Sequence, residues 1–129
     1  MLQKANQNKE KAGADNVSFI ESSITEIALR DETADCIISN CVVNLVPEQE
    51  KQLTFNEMFR LLKPGGRLAI SDILLKKALP AEIRNSMTLY VGCIGGASQV
   101  EGYEKYLRCA GFTGKCRSPR SCLPLAVLR

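Results

Sequence analysis

Between Val46 and Leu75 the hydrophobic pattern changes period once, and this change constrains the fold more than any other feature of the sequence. Through "VPEQEKQLTFNEMFRLL" the apolar residues Phe55, Met58, Phe59 and Leu62 recur at helical spacing. Pro47 suits a first helical turn, where its missing N–H costs nothing, and Glu48 and Glu50 favour the positive end of the helix dipole. "KPGG" stops the helix and turns the chain. "RLAISDILL" then runs nearly continuously apolar, as strands do when both faces of a parallel sheet are covered.

The rest of the chain repeats this alternation. "ADCIIS" is a second apolar run of strand length, and "NVSFIES" a third, carried by Val17, Phe19 and Ile20. Helical patterns occupy residues 1–13, closed by Gly13; residues 80–92, with Ile83, Met87 and Tyr90 on one face; and residues 99–111, with Val100, Tyr103, Tyr106 and Leu107 as the stripe. Alternating helices and apolar strands predict an α/β fold with a parallel sheet. Ligands of such sheets sit outside the carboxyl ends of the strands. "ISNCVVNL" brings Ser39, Asn40, Cys41 and Asn44 to one such end, where a plain core would have Val or Leu.

The length of 129 residues suits one domain. Apolar content of 45% and charged content of 24% are ordinary for a globular chain. The net charge of +3 reads as a solvated face, and with 5% aromatics no stacking platform for nucleic acid is expected. No run has a signal-peptide pattern or approaches the roughly 18 apolar residues of a membrane span, so a cytoplasmic protein without a membrane partner is expected. Six cysteines are present, none paired as C-x-x-C, and they are expected to be reduced. Histidine is absent, which excludes imidazole bases and ligands from this chain. Its chemistry must use thiols, carboxylates, hydroxyls or a bound cofactor. Cys36, inside a strand, reads as a small buried hydrophobe, and Met58 and Phe59 as core. Asp72 fits either a substrate-side carboxylate or a strand cap, and Gly95 and Gly96 fit a tight loop.

The run "ISNCVVNL…EMFRLLKPGGRLAISDI" resembles class I S-adenosylmethionine-dependent methyltransferases. "SNCVVNL", followed 52 residues after its cysteine by "YVGCIGGA", is narrower and looks like arsenite methyltransferases. The resemblance covers roughly residues 1–112. It implies a Rossmann-like fold, S-adenosylmethionine as cofactor, and Cys41 and Cys93 as the thiolates that hold trivalent arsenic. Soft thiolates suit a soft centre, and arsenic held by sulfur keeps a lone pair that can take the cofactor's methyl group without a general base. The substrate it implies is trivalent arsenic as a thiol conjugate, with a thiol reductant as co-partner. "SSITEI" matches the segment that holds the adenine, which implies roles for Ile24 and Thr25, although the family usually has an acidic residue where Thr25 stands. Asn40 falls where the family contacts the methionine end of the cofactor.

This chain departs from the family at both ends. No glycine-rich cofactor loop and no ribose-binding acid precede "MLQKAN", and the family's N-terminal cysteines have no counterpart. The expected architecture is therefore a partial Rossmann-like fold lacking its first two strands, as in an N-terminally truncated enzyme. "NVSFIES" and "ADCIIS" would stand as strands 3 and 4 of a 3-2-1-4-5 sheet with their separating strands gone. Unpaired strand edges invite aggregation, so the 129 residues alone are expected to be marginally stable and inactive. Residues 1–112 would form the partial methyltransferase domain and residues 113–129 a divergent tail without clear periodicity, and no role is assigned to Cys109, Cys116 or Cys122. Two rival functions remain at this level. A methyltransferase for another small molecule, such as a quinone precursor, would keep "LLKPGGRL" without needing both cysteines. An inactive thiol-bearing fragment would not need the cofactor loop.

Overall fold

The structure is a computed structural model that describes residues 1–78, 80 and 94–113, and the backbone of 125–128. Three helices and three strands are described. They are α1 (Leu2–Ala12), β1 (Ala34–Asn40), α2 (Glu48–Leu61), β2 (Leu62–Ser71), α3 (Val100–Ala110) and β3 (Leu125–Leu128), with a 3-10 turn at Val43–Leu45 between β1 and α2. The sheet order is β1-β2-β3. β1 and β2 pair in parallel, from Cys36 opposite Arg67 to Asn40 opposite Ser71. β3 lies antiparallel on the other side of β2.

The central helix forms as its pattern predicts. Pro47 caps α2, and Glu48 and Glu50 fill its first turn. Phe55, Met58 and Leu62 are buried and Phe59 packs beside them. The core joins these residues to Val43, Leu68, Ile70, Tyr103, Leu107 and Phe112. Phe55 meets the Tyr103 ring edge-on at a centroid distance of 5.1 Å and stacks on Tyr106 at 5.6 Å, which fastens α3 across α2. Gln99 begins α3 and Gly111 ends it, as expected. The expected helix over residues 80–92 lies outside the described residues, apart from Pro80.

Several expectations are corrected. "NVSFIES" forms no strand: it runs as irregular chain, with Phe19 and Ile20 exposed. A strand needs a neighbour for its backbone groups, and among the described residues none lies beside it. Only an isolated bridge, Ser23 with Glu26, follows. The expectation that "ADCIIS" is covered on both faces is also wrong. Ile37 and Ser39 face the helices, whereas Ile38 is 80% exposed and Cys36 is exposed rather than buried. "KPGG" does not separate helix from strand. β2 starts at Leu62, opposite Ala34, and the register is regained at Cys36 with Arg67, so Lys63–Gly66 form a bulge within the strand. Gly66 is required there because a Cβ would come within 2.8 Å of the Lys63 carbonyl oxygen. β2 also ends at Ser71, before "ILL". Finally, the tail without visible periodicity contributes "LAVL" as β3.

Candidate active site at the carboxyl ends of β1 and β2

Cys41 is the first residue beyond β1 and adopts a left-handed backbone, with φ of 52°. Such a conformation costs a non-glycine residue about 1–3 kcal/mol and persists only where neighbours hold it. Here the Cys41 N–H donates to the Ser71 carbonyl at 2.9 Å, extending the sheet pairing past Asn40 and Ser71. The reversal lets the chain enter the Val43–Leu45 turn directly. Asn44, wholly buried, donates its amide to the Ile73 carbonyl at 2.8 Å and so ties the segment after β1 to the segment after β2. This accounts for the amide beside the thiol at a position where an apolar residue would otherwise serve.

Asp72 follows β2 on the helix-facing side. The Tyr103 hydroxyl donates to Asp72 Oδ2 at 2.7 Å. Burial raises the Tyr103 phenol far above the ordinary tyrosine range; the Asp72 charge, the hydrogen bond to it and the Cys41 thiol add to the rise. Tyr103 therefore stays a neutral donor, and Cys41, Asp72 and Tyr103 form one electrostatic neighbourhood.

A second anchor was not anticipated from the sequence. Lys51 of α2 is wholly buried, and its ammonium donates to the Gly96 carbonyl at 2.5 Å, Ser98 Oγ at 2.7 Å and Glu48 Oε2 at 2.8 Å. The Leu75 N–H donates to the Ser98 carbonyl at 3.0 Å. These bonds fix the "IGGAS" turn, whose Ala97 N–H donates to Ile94, beside the segment that leaves β2. Lys51 is spaced for the same helix face as Phe55, Met58 and Leu62, and a lysine on an apolar stripe is the signal that would have revealed it.

Asn40 and Cys41 thus stand together, with Asn40 exposed at the strand end. Cys93 lies outside the described residues. Ile24 and Thr25 sit in the turn between Ser23 and Glu26. The Thr25 hydroxyl bonds to Ser23 Oγ at 2.9 Å, and the Ala28 N–H donates to Ser22 Oγ at 3.1 Å. Just downstream, the Ile27 N–H donates to Glu57 of α2, and Arg60 donates to the carbonyls of Ile27 and Leu29. The hydrogen bonds described for this turn stay within it or go to α2. Among the described residues no cluster of three metal-binding side chains occurs, and no helix is long and apolar enough to cross a membrane.

Residues 1–111 match the model of a family described as a methyltransferase domain. The chain belongs to this family. The domain is 41% identical over 112 residues to an arsenite methyltransferase of Halobacterium salinarum, which covers 87% of this chain and 28% of the relative. Against an arsenite methyltransferase of Homo sapiens it is 44% identical over 87 residues, which is 65% of this chain and 23% of the relative. Its fold superposes on the crystal structure of an arsenic(III) S-adenosylmethionine methyltransferase from Chlamydomonas reinhardtii with a TM-score of 0.67 and 25% identity, covering 93% of this chain and 46% of that one. The methyltransferase domain therefore spans less than a third of the length of these curated relatives. The α/β architecture expected from the alternating pattern is the one this chain shares with that structure.

Proposed function

We propose that this methyltransferase domain acts in S-adenosylmethionine-dependent methylation of trivalent arsenic, and that Cys41 and Cys93 are the thiolates that hold the arsenic. The observation that carries this reading is the place of Cys41. It is held in a left-handed turn at the carboxyl end of the central parallel pair, in a chain more than 40% identical to arsenite methyltransferases. The "IGGAS" turn that follows Cys93 in sequence is clamped by Lys51 beside the segment leaving β2, which supports bringing the second thiol to the same place. Thiolates are ligands only when deprotonated and reduced, so the reading includes a thiol reductant and a cytoplasmic setting.

The residues present fit part of the cofactor. Asn40 offers an exposed amide that can both donate to a carboxylate and accept from an ammonium, as the methionine end requires. Ile24 offers an apolar side chain for an adenine face, while the Thr25 hydroxyl is already engaged with Ser23. When bound, S-adenosylmethionine supplies an electrophilic methyl group. The chain's own part is to hold arsenic through sulfur, fix the strand end that presents it, and close the polar groups around it.

Calorimetric titration of the reduced 129-residue chain with arsenite tests the reading. Binding is expected, and its loss is expected in both Cys41→Ser and Cys93→Ser. Binding that survives either substitution, or no binding by the unsubstituted chain, rejects it. Parallel titration with S-adenosylmethionine separates a methyltransferase for another small molecule, which would take the cofactor and ignore arsenite.

A further inference from the structure

Two buried oxygens at the ends of β1 and β2 have no hydrogen-bond partner among the described residues: Asp72 Oδ1 and Ser39 Oγ. Ser39 is only 9% exposed and stands opposite Ile70 on the helix-facing side of the sheet, one alternation before Asp72. Burying a carboxylate oxygen without a donor costs free energy, and such groups in folded proteins call for an explanation. The other Asp72 oxygen is already fixed by Tyr103, so the carboxylate cannot turn freely to find a donor elsewhere. Cys41 is the next residue after the paired Asn40 as Asp72 is after Ser71, and the Cys41 N–H bonds to the Ser71 carbonyl. Thiol and carboxylate therefore leave adjacent strands at the same level.

We propose that Asp72 determines specificity at this site by accepting a hydrogen bond from a hydroxyl on trivalent arsenic, with Tyr103 as the residue that positions it. The inference rests on the arsenic reading above and adds to it the form of arsenic that is bound. When arsenous acid meets two thiols, two S–H and two As–O bonds break. Two S–As and two O–H bonds form, and two waters leave. Arsenic stays trivalent and keeps one hydroxyl. That hydroxyl is a donor brought to the end of β1, where Asp72 Oδ1 is the acceptor without a partner. An organoarsenical such as phenylarsine oxide also takes two thiols but retains no hydroxyl, so Asp72 has nothing to accept from it.

The two arsenicals form the test on the reduced 129-residue chain, titrated against a competing dithiol. In Asp72→Ala, arsenite affinity is expected to fall roughly tenfold or more, as for loss of a hydrogen bond to a charged acceptor. Phenylarsine oxide affinity is expected to stay within twofold. Tyr103→Phe keeps the ring and frees the carboxylate, so it should lower the arsenite-to-phenylarsine affinity ratio in the same direction by a smaller factor. Equal weakening of both arsenicals would mark Asp72 as merely structural and overturn the proposal, as would no change in either. If Asp72→Ala does not fold, an unchanged ratio in Tyr103→Phe overturns it alone. Arsenite binding that persists in Cys41→Ser would instead reject the arsenic reading, whatever Asp72 does.

Discussion

Lys51 shows how a single side chain can organise this site from outside it. It is wholly buried, and its ammonium ends on two atoms of the "IGGAS" turn and on Glu48. Glu48 in turn accepts from the Tyr106 hydroxyl, so α2, α3 and the turn meet at one charge. Lys51→Met keeps the volume and removes the donors. It leaves the Gly96 carbonyl and Ser98 hydroxyl to find new partners, and a loss of about 2–3 kcal/mol is expected in urea denaturation, as for hydrogen bonds to a charged group. Amide exchange at Gly96–Ser98 should quicken more than at the core of α2; an unchanged midpoint with unchanged exchange would show the clamp to be idle. At this scale the site was only partly legible. Cys41 and Asn44 stand out because amides and a thiol interrupt an apolar run. Asp72 was equally readable as a strand cap, because only the fold reveals that Tyr103, 31 residues later, returns to hold it.

The elements divide by whether their signal is local. α2 and α3 carry their periodicity and starts in consecutive residues, and both form as read except that α2 passes directly into β2 at Leu62, ahead of "KPGG". The strands depend on neighbours. "NVSFIES" has the composition of a strand but no strand beside it among the described residues, and it stays irregular. "LAVL" has no alternation to announce it, yet β2 offers a free side and takes it as an antiparallel partner. The ends of α3 give a paired prediction. Gly111 closes the helix at φ of 103°, and a Cβ there would meet the Phe59 ring at 3.0 Å. Gly102, within the helix, has nothing within 4 Å of its would-be Cβ. Gly111→Ala should therefore destabilise by about 1 kcal/mol or more. Gly102→Ala should stabilise by roughly 0.5–1 kcal/mol through helix propensity and a stiffer unfolded chain. Thermal denaturation of the two variants checks the opposite signs; a shift in the same direction would contradict the geometry.

Taken as a whole, the molecule is built around α2. One face of the sheet is covered by α2 and α3, while the other leaves Ile38 and Cys36 in solvent, so the continuous apolar run of β1 predicted more burial than this chain supplies. The long irregular segment between α1 and β1 has little core of its own and is held instead by polar bonds from the last turns of α2. Glu57, largely buried, accepts from the Ile27 N–H at 2.6 Å and from Arg60, while Arg60 also reaches Leu29 and Asp31. The Arg60 hydrogen bond, helped by the Ile27 N–H and opposed by burial, holds the Glu57 carboxyl below the ordinary glutamate range. Because the folded state releases this proton more readily than the unfolded chain, the stabilisation is complete above the ordinary glutamate value and is lost as pH falls through the lower folded one. Urea denaturation from pH 6 down to pH 3 should show the unsubstituted chain losing this contribution in its acid limb. Glu57→Gln should be less stable at pH 6, with a flatter acid limb, because it has no charge left to lose. Curves that stay parallel over the whole range would mean that the tie between α2 and the 22–31 segment adds nothing to the fold.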